Sequence, residues 1–411
     1  MFAPLPTIFF VMAKHINVIL FDAEDTHNNL LPLSFTRPVS DFRVGIVTIR
    51  EKWEAMMPGC YSALPVEYLR EKFAPLYDDD SIFVEGAVLP TPSLVEAVSG
   101  LGHGQALVKE GRVIAARGAR QDFEKGEFSE IEYDGDVKAV RFPFDVFLMN
   151  GEAICDDYTR LVAGRESQPL PPHCTLIGDP LLEDGIPSLF IEEGAVLLGC
   201  SINVTGGPVY IGRDAVVMEG AALRGPLAVC DNAKVRMGAK VYGASTFGPY
   251  CKVGGEVDNV VLFAYSNKAH DGYLGNAVIG EWCNIGAGVN ASNLKNDYSK
   301  VRVWNYPTHS FMRTDLQFCG LIMADHSKAG INCMFNTATV LGVGVNIHGA
   351  GFPRTFIPSF LEGSPVAGMK DVPLKKFYQI AERVMSRRDI TLTDLDKRIY
   401  ERIFEIASSY K

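Results

Sequence analysis

Among eight histidines, His270 stands in the most suggestive company: Ser266-Asn-Lys-Ala-His-Asp-Gly-Tyr-Leu-Gly275, then Ile279-Gly-Glu-Trp-Cys-Asn-Ile-Gly-Ala-Gly288 and Ser292-Asn-Leu-Lys295. An imidazole titrating near neutrality can take a proton from an amine, which must be neutral before it attacks a thioester carbonyl. The tetrahedral oxyanion so formed needs a positioned donor, and a backbone N–H of the Gly286-Ala287-Gly288 turn is of the right kind. These residue types together suit acyl transfer. Read alone, His270 would be an ordinary loop histidine.

The elements that must position these groups announce themselves as a repeat. Ile211-Gly-Arg-Asp-Ala-Val216, Val229-Cys-Asp-Asn-Ala-Lys234 and Phe247-Gly-Pro-Tyr-Cys-Lys252 begin 18 residues apart, as do Met323-Ala-Asp-His-Ser-Lys328 and Leu341-Gly-Val-Gly-Val-Asn346. Ile279-Gly-Glu-Trp-Cys-Asn284 runs directly into Ile285-Gly-Ala-Gly-Val-Asn290. Eighteen is three hexapeptides, one for each wall of a triangular prism in which one aliphatic side chain per hexapeptide points inward and a small residue lets the corner turn. A left-handed parallel β-helix is expected over 176–358, with interruptions at 260–275 and 291–318 that map to loops on a binding face. A β-sandwich does not lock its turns to one spacing.

Before this region, residues 15–175 alternate apolar β-type runs (18–21, 82–84) with helical stretches (48–57, 91–98), which predicts an α/β domain with a mostly parallel sheet. After it, residues 359–411 carry Phe377, Ile380, Ala381 and Val384, then Ile399, Ile403 and Ile406, at helical spacing, which predicts a helical pair bracing the solenoid. Residues 1–14 form an apolar extension without the basic start and cleavage site of a secretory signal, and Met12 is an alternative start.

Composition bounds the function. A net charge of −10 with 21% charged residues argues against nucleic acid as a partner. Nine dispersed cysteines without a CxxC pair read as reduced thiols in a cytoplasmic protein. No run approaches the roughly 18 apolar residues of a membrane span.

The segment 266–295 resembles the acetyltransferase site of the bifunctional N-acetylglucosamine-1-phosphate uridylyltransferase/glucosamine-1-phosphate acetyltransferase family, whose pattern reads approximately SKAGHLxYLGD and then IGxNxNIGAGTxxxN. The likeness covers roughly 180–355 and extends to shortened bacterial variants and to sugar nucleotidyltransferases with a β-helix tail. By that resemblance His270 is the general base, Tyr273 contacts the sugar phosphate, Asn284 and Asn293 hold the sugar, and Ala287, with Gly286 and Gly288 beside it, lines the acetyl-CoA groove. Lys268 belongs to the same substrate set. Departures are plain: one residue separates Lys268 from His270 where the family has two, Asp258 stands where the family has a basic residue, and Asn276 replaces an aspartate. Lys295, Lys300 and Arg302 then become the phosphate contacts.

The stretch Leu31-Pro-Leu-Ser-Phe-Thr-Arg-Pro-Val-Ser-Asp-Phe-Arg-Val-Gly45 resembles the segment just after the glycine-rich loop of sugar-1-phosphate nucleotidyltransferases. Here that loop is Asp22-Ala-Glu-Asp-Thr-His27, without the glycines that let backbone N–H groups cradle a triphosphate. The resemblance places Asp22 and Arg37 at the nucleotide. Asp22, Glu24 and Asp145 are carboxylates of the kind that suits Mg²⁺, and equally the kind found at ordinary strand ends.

The expectation is acetyl-CoA-dependent N-acetylation of an amino-sugar 1-phosphate at the β-helix and nucleotidyl transfer from a nucleoside triphosphate at the N-terminal domain, in a homo-trimer. The alternatives are a nucleotidyltransferase whose β-helix serves assembly or regulation, a β-helix carbonic anhydrase using zinc held by His270, His309, His326 or His348, and a scaffold without catalysis.

Overall fold

The computed structural model describes residues 16–411; the apolar segment before them, including the expected extension 1–14, lies outside the described residues. The chain builds a six-stranded sheet, a long parallel β-helix and two C-terminal helices.

The first sheet has the order Cys60–Leu64, Asn17–Phe21, Ser81–Glu85, Arg112–Gly118, Gln105–Lys109, Ser129–Glu132. Its first three strands are parallel, but Arg112–Gly118 runs antiparallel to both neighbours. The mostly parallel sheet expected from the alternation is therefore a mixed one. The cause is local: Glu110 and Gly111 both take positive φ (51° and 74°), the requirement of a two-residue hairpin turn. The helix Ile49–Met56 starts at Thr48, whose side chain and that of Glu51 form a capping box, and Pro92–Ser99 starts at the Thr91 cap.

In the β-helix, one ladder runs Ile211, Val229, Phe247, Leu262, Ile279, Met323, Leu341, Ile357, each paired in parallel register with the next and buried. Six of the eight open hexapeptides picked out by the repeat. Each inward aliphatic contributes roughly 1.5–3 kcal/mol by burial. The coils define three walls: one carries Lys240–Tyr242, Glu256, Asp258 and Tyr273; a second carries the ladder just named; a third carries Lys234, Lys252, Asn267, Asn284 and Lys328 facing outward. This is a left-handed parallel β-helix of the hexapeptide kind.

Two details differ from the repeat reading. Residues 260–275 are no loop: Glu256–Leu262 and Tyr273–Ile279 stay in register, and the shortened spacing is absorbed at the corners. Parallel pairing also continues past Pro358, to Leu361–Ser364 against Asn346–Ile347. The second interruption is a true excursion, carrying the antiparallel hairpin Arg302–Asn305/Ser310–Arg313.

The helix Asp145–Val162 packs on the second wall. Gly151 permits this closeness, since a Cβ there would lie 3.0 Å from the Ala244 Cβ. Buried Asn150 ties the two domains together: its Nδ2 donates to Ala244 O (2.8 Å), and its Oδ1 accepts from Gly45 N (2.8 Å) and Thr246 Oγ1 (3.1 Å). The C-terminal helices, Leu374–Met385 and Asp394–Ala407, pack Phe377 on Phe360 and reach the N-terminal domain through Lys72–Asp396 (2.6 Å) and Arg398–Glu71 (2.6 Å). They brace the solenoid against that domain. No helix among the described residues is long and apolar enough to cross a membrane.

Candidate active sites

His270 sits exposed at the corner between the third wall and the first, after Asn267–Lys268 and before Tyr273. The next coil turns the same corner with Gly286, Ala287 and Gly288, and Gly288 N donates to Asp271 O (2.9 Å), locking the two corners together. Gly286 N is spent on Ala329 O (2.9 Å). Of the three turn amides considered as oxyanion donors, Ala287 N alone has no backbone acceptor within the coil.

On the wall beside this corner, Asn293 Nδ2 donates to Tyr273 Oη (2.9 Å) and to Asn276 Oδ1 (2.7 Å). Only glycine leaves room for that meeting: a Cβ on Gly275 would lie 2.3 Å from Tyr273 Oη and 2.8 Å from Asn293 Nδ2. Burial, then Asp258, pushes the Tyr273 phenol up to about 12. The Asp258 carboxyl is itself raised, by burial and by Glu256. Tyr242 donates to Glu256 Oε1 (2.6 Å). Lys240 Nζ lies 3.8 Å from the same carboxylate, so this part of the wall carries two carboxylates and one ammonium, a balance that favours a cationic amine.

The structure thus sets His270 and residues 286–288 on neighbouring corners, with Tyr273 and Asn293 on the wall beside them, and adds Asn276, Tyr242 and Glu256, which the repeat pattern gave no reason to select. The other expected contacts lie elsewhere. Lys268 occupies an inward position, in register with Val253, with its Nζ donating to Gly254 O (3.0 Å) and His270 O (2.8 Å). Burial lowers its pKa to about 8. It is an interior strut for the His270 corner and not a substrate contact. Asn284 faces out on the third wall. Lys295 lines a cleft with Ser292, Asn336 and Thr337, bonding Ser299 Oγ (3.1 Å); Lys300 and Arg302 line another with Arg313, and Lys300 pairs with Asp315 (2.8 Å).

In the N-terminal domain, ligands of open α/β sheets bind beyond the carboxyl ends of strands where the strand order reverses. That point lies between Asn17–Phe21 and Ser81–Glu85. There Glu85, fully buried, accepts from Thr26 Oγ1 (3.0 Å), Arg112 Nη1 (3.0 Å) and Arg141 Nη2 (2.9 Å), while Arg112 also pairs with Asp25. Two part-exposed guanidiniums at a switch point are suited to phosphate. Position in the sheet, not motif, reveals them.

Asp22, Asp145 and Arg37 are each engaged with groups of the protein itself. Asp22 is buried, accepting from Val39 N (3.0 Å) and facing His27 Nδ1 (3.3 Å), and burial raises its pKa. Asp145 accepts from Arg141 N (2.7 Å) and Phe142 N (2.8 Å) at the start of its helix, also raised by burial. Arg37 is buried between Glu281 (2.6 Å) and Asp325 of the β-helix; burial opposes its charge, but Asp325 and Glu281 outweigh it and raise its pKa. Among the described residues no three His, Cys, Asp or Glu side chains are placed to hold a metal. The expected Mg²⁺ ligands are not assembled, and neither is a zinc set: His326 is buried between Trp282, Phe377 and Tyr400.

Residues 18–166 match the family model described as sugar nucleotidyl transferase. A domain that matches this family model, joined to a left-handed parallel β-helix of hexapeptide repeats, is the class of architecture these features define. Within that class the chain is similar to proteins named bifunctional protein GlmU. It is 25% identical over 166 residues to that of Trichodesmium erythraeum (39% of this chain, 30% of that protein) and 28% identical over 121 residues to that of Synechococcus elongatus (29% and 23%). The matches thus span less than a third of the length of those relatives. Solved structures with some likeness include the polysialic acid O-acetyltransferase OatWY (TM-score 0.25, 13% identity, 48% of this chain and 87% of that one) and the N-acyltransferase AntD from Bacillus cereus (TM-score 0.19, 11% identity, 48% and 82%).

Proposed function

We propose that the protein is a transferase of nucleotide-sugar synthesis with two centres. At the β-helix, the amine of an amino-sugar 1-phosphate attacks the thioester carbonyl of acetyl-CoA. His270 removes the amine proton, Ala287 N–H faces the developing oxyanion, and coenzyme A leaves as the thiol. The Tyr273–Asn293 pair orients the sugar, and the Glu256/Asp258 wall attracts the ammonium form before it loses its proton. The observation that carries this reading is the exposed His270 imidazole at a corner whose neighbouring coil presents residues 286–288.

At the N-terminal domain, a sugar 1-phosphate oxygen attacks the α-phosphorus of a nucleoside triphosphate and pyrophosphate leaves, with Arg112 and Arg141 holding phosphate oxygens. The match over residues 18–166 supports this half. The side chains present do not fit a resident Mg²⁺ site, and no step is assigned to one. We place the protein in the cytoplasm as a homo-trimer; the N-terminal domain covers one wall of the prism and leaves the His270 corner open to a neighbouring subunit.

The test is a pair of end-point assays on the full chain: thiol release from acetyl-CoA with glucosamine 1-phosphate, and pyrophosphate release from UTP or dTTP with sugar 1-phosphates. Pyrophosphate release alone would select the second reading, a nucleotidyltransferase whose β-helix is an assembly platform. Thiol release dependent on His270 supports the two-centre reading.

A further inference from the structure

The third wall of the β-helix faces the end of the helix Leu374–Met385 across a cavity of about 280 Å³ that neither proposed centre uses. Lys252 and Lys328 line it from the wall, Arg387 and Arg388 from the turn Ser386–Arg388, and the amides of Asn267 and Asn284 lie between the lysines. The wall residues form one outward ladder, Lys234, Lys252, Asn267, Asn284, Lys328, in parallel register. From Lys252 to Lys328 is three rungs, about 14 Å at ~4.8 Å per rung.

The charge is one-sided. Among the described residues, Lys234, Arg236, Lys252, Lys328, Arg387 and Arg388 make no salt bridge, in a chain whose net charge is −10. Stacked like charges on neighbouring strands cost stability, and a cleft of one sign concentrates counter-ions. Lys252 is held below its ordinary pKa by burial and then by Arg388, Lys234 and Arg387, so no carboxylate relieves it. Lys328 is lowered too, chiefly by burial. Asn267 Nδ2 donates to Asn284 Oδ1 (3.2 Å), so the Asn284 N–H₂ is not used in that bond, while the buried Asn267 Oδ1 has no partner. Lys328 Nζ donates to His326 O (2.8 Å) and Arg388 Nη1 to Arg387 O (3.1 Å), and the remaining N–H groups of the two guanidiniums and two ammoniums lining the cleft are donors of the kind that phosphate anhydride oxygens accept. The volume lies at the lower limit for small-molecule pockets, so it takes a compact anionic group and not a whole dinucleotide.

We infer that this cleft binds a linear phosphate anhydride, the di- or triphosphate group of a nucleotide or free pyrophosphate, clamping the C-terminal helix to the β-helix. Tyr265 stacks on Trp282 at its edge (ring centroids 4.2 Å apart), so occupancy is reported by tryptophan emission as well as by heat.

The experiment is calorimetric titration of the full chain at low salt with pyrophosphate, UTP and coenzyme A in turn, each repeated with Arg387→Ala/Arg388→Ala and with Lys252→Ala. The double variant changes only a surface turn. Pyrophosphate is expected to bind, with affinity falling at least about tenfold in both variants and falling with added salt. The nucleotide probe that loses affinity in parallel names the source of the group. His270→Ala should bind pyrophosphate as the parent does, so a failure of the acetyl-transfer reading leaves this result standing. No pyrophosphate binding, or binding indifferent to all three side chains, overturns the inference.

Discussion

The Arg37 guanidinium donates to Glu281 Oε1 at 2.6 Å and pairs with Asp325, joining a loop of the N-terminal domain to two successive corners of the β-helix across 244 residues of sequence. Arg37 and Asp325 are buried and Glu281 is half-buried. Removing one partner of such a pair leaves the others as uncompensated charge, at a cost of roughly 3–5 kcal/mol. Arg37→Ala should therefore lower the unfolding midpoint sharply, in denaturant or heat. Nucleotide affinity of the surviving folded protein should be unchanged. A variant of parental stability that has lost UTP binding would return Arg37 to the nucleotide site.

Arg112 is the corresponding test of the relocated N-terminal site. Its guanidinium is part-exposed and bonds Glu85 and Asp25. Arg112→Ala leaves buried Glu85 still held by Arg141 and Thr26, so the fold should persist. UTP or dTTP affinity by calorimetry should fall about tenfold or more, as expected for one charge-assisted phosphate contact. Unaltered affinity would move the nucleotide away from the carboxyl ends of these strands.

How far the sequence carried the reading depends on what kind of signal each feature leaves. The β-helix was legible because every coil must place an aliphatic residue inward, which writes an 18-residue period into the chain. Lys268 was not, because an inward lysine sits at a repeat position while its ammonium bonds corner carbonyls, and residue type alone suggests a surface contact. Arg37 failed for a related reason: a loop motif does not show that its basic residue faces another domain. Glu85, Arg112 and Arg141 lie far apart in sequence and meet only when the strand order sets the switch point. The helix Asp145–Val162 was missed, since its face is shaped to a wall of the β-helix and not to its own sheet.

Lys268 gives a pH signature. Its pKa lies near 8 in the folded chain against an ordinary value of 10.5. Between these values the unfolded chain holds the proton that the folded chain has released, so stability rises with pH across the window; below about 8 the cost of a buried charge is present in full. Lys268→Met should remove that rise. Urea midpoints from pH 7.5 to 10, parent against variant, check it, and equal slopes would show that the lysine is solvated.

The most direct measurement of the central claim is the initial rate of coenzyme A release from acetyl-CoA with glucosamine 1-phosphate, for the parent and His270→Ala. His270 is exposed, so the variant should unfold at nearly the parental midpoint. Its turnover should fall by ~10²–10⁴-fold, the usual span for loss of a general base, with acetyl-CoA affinity little changed. A variant that releases coenzyme A at the parental rate would contradict the account, as would a parent that acetylates no amino-sugar phosphate.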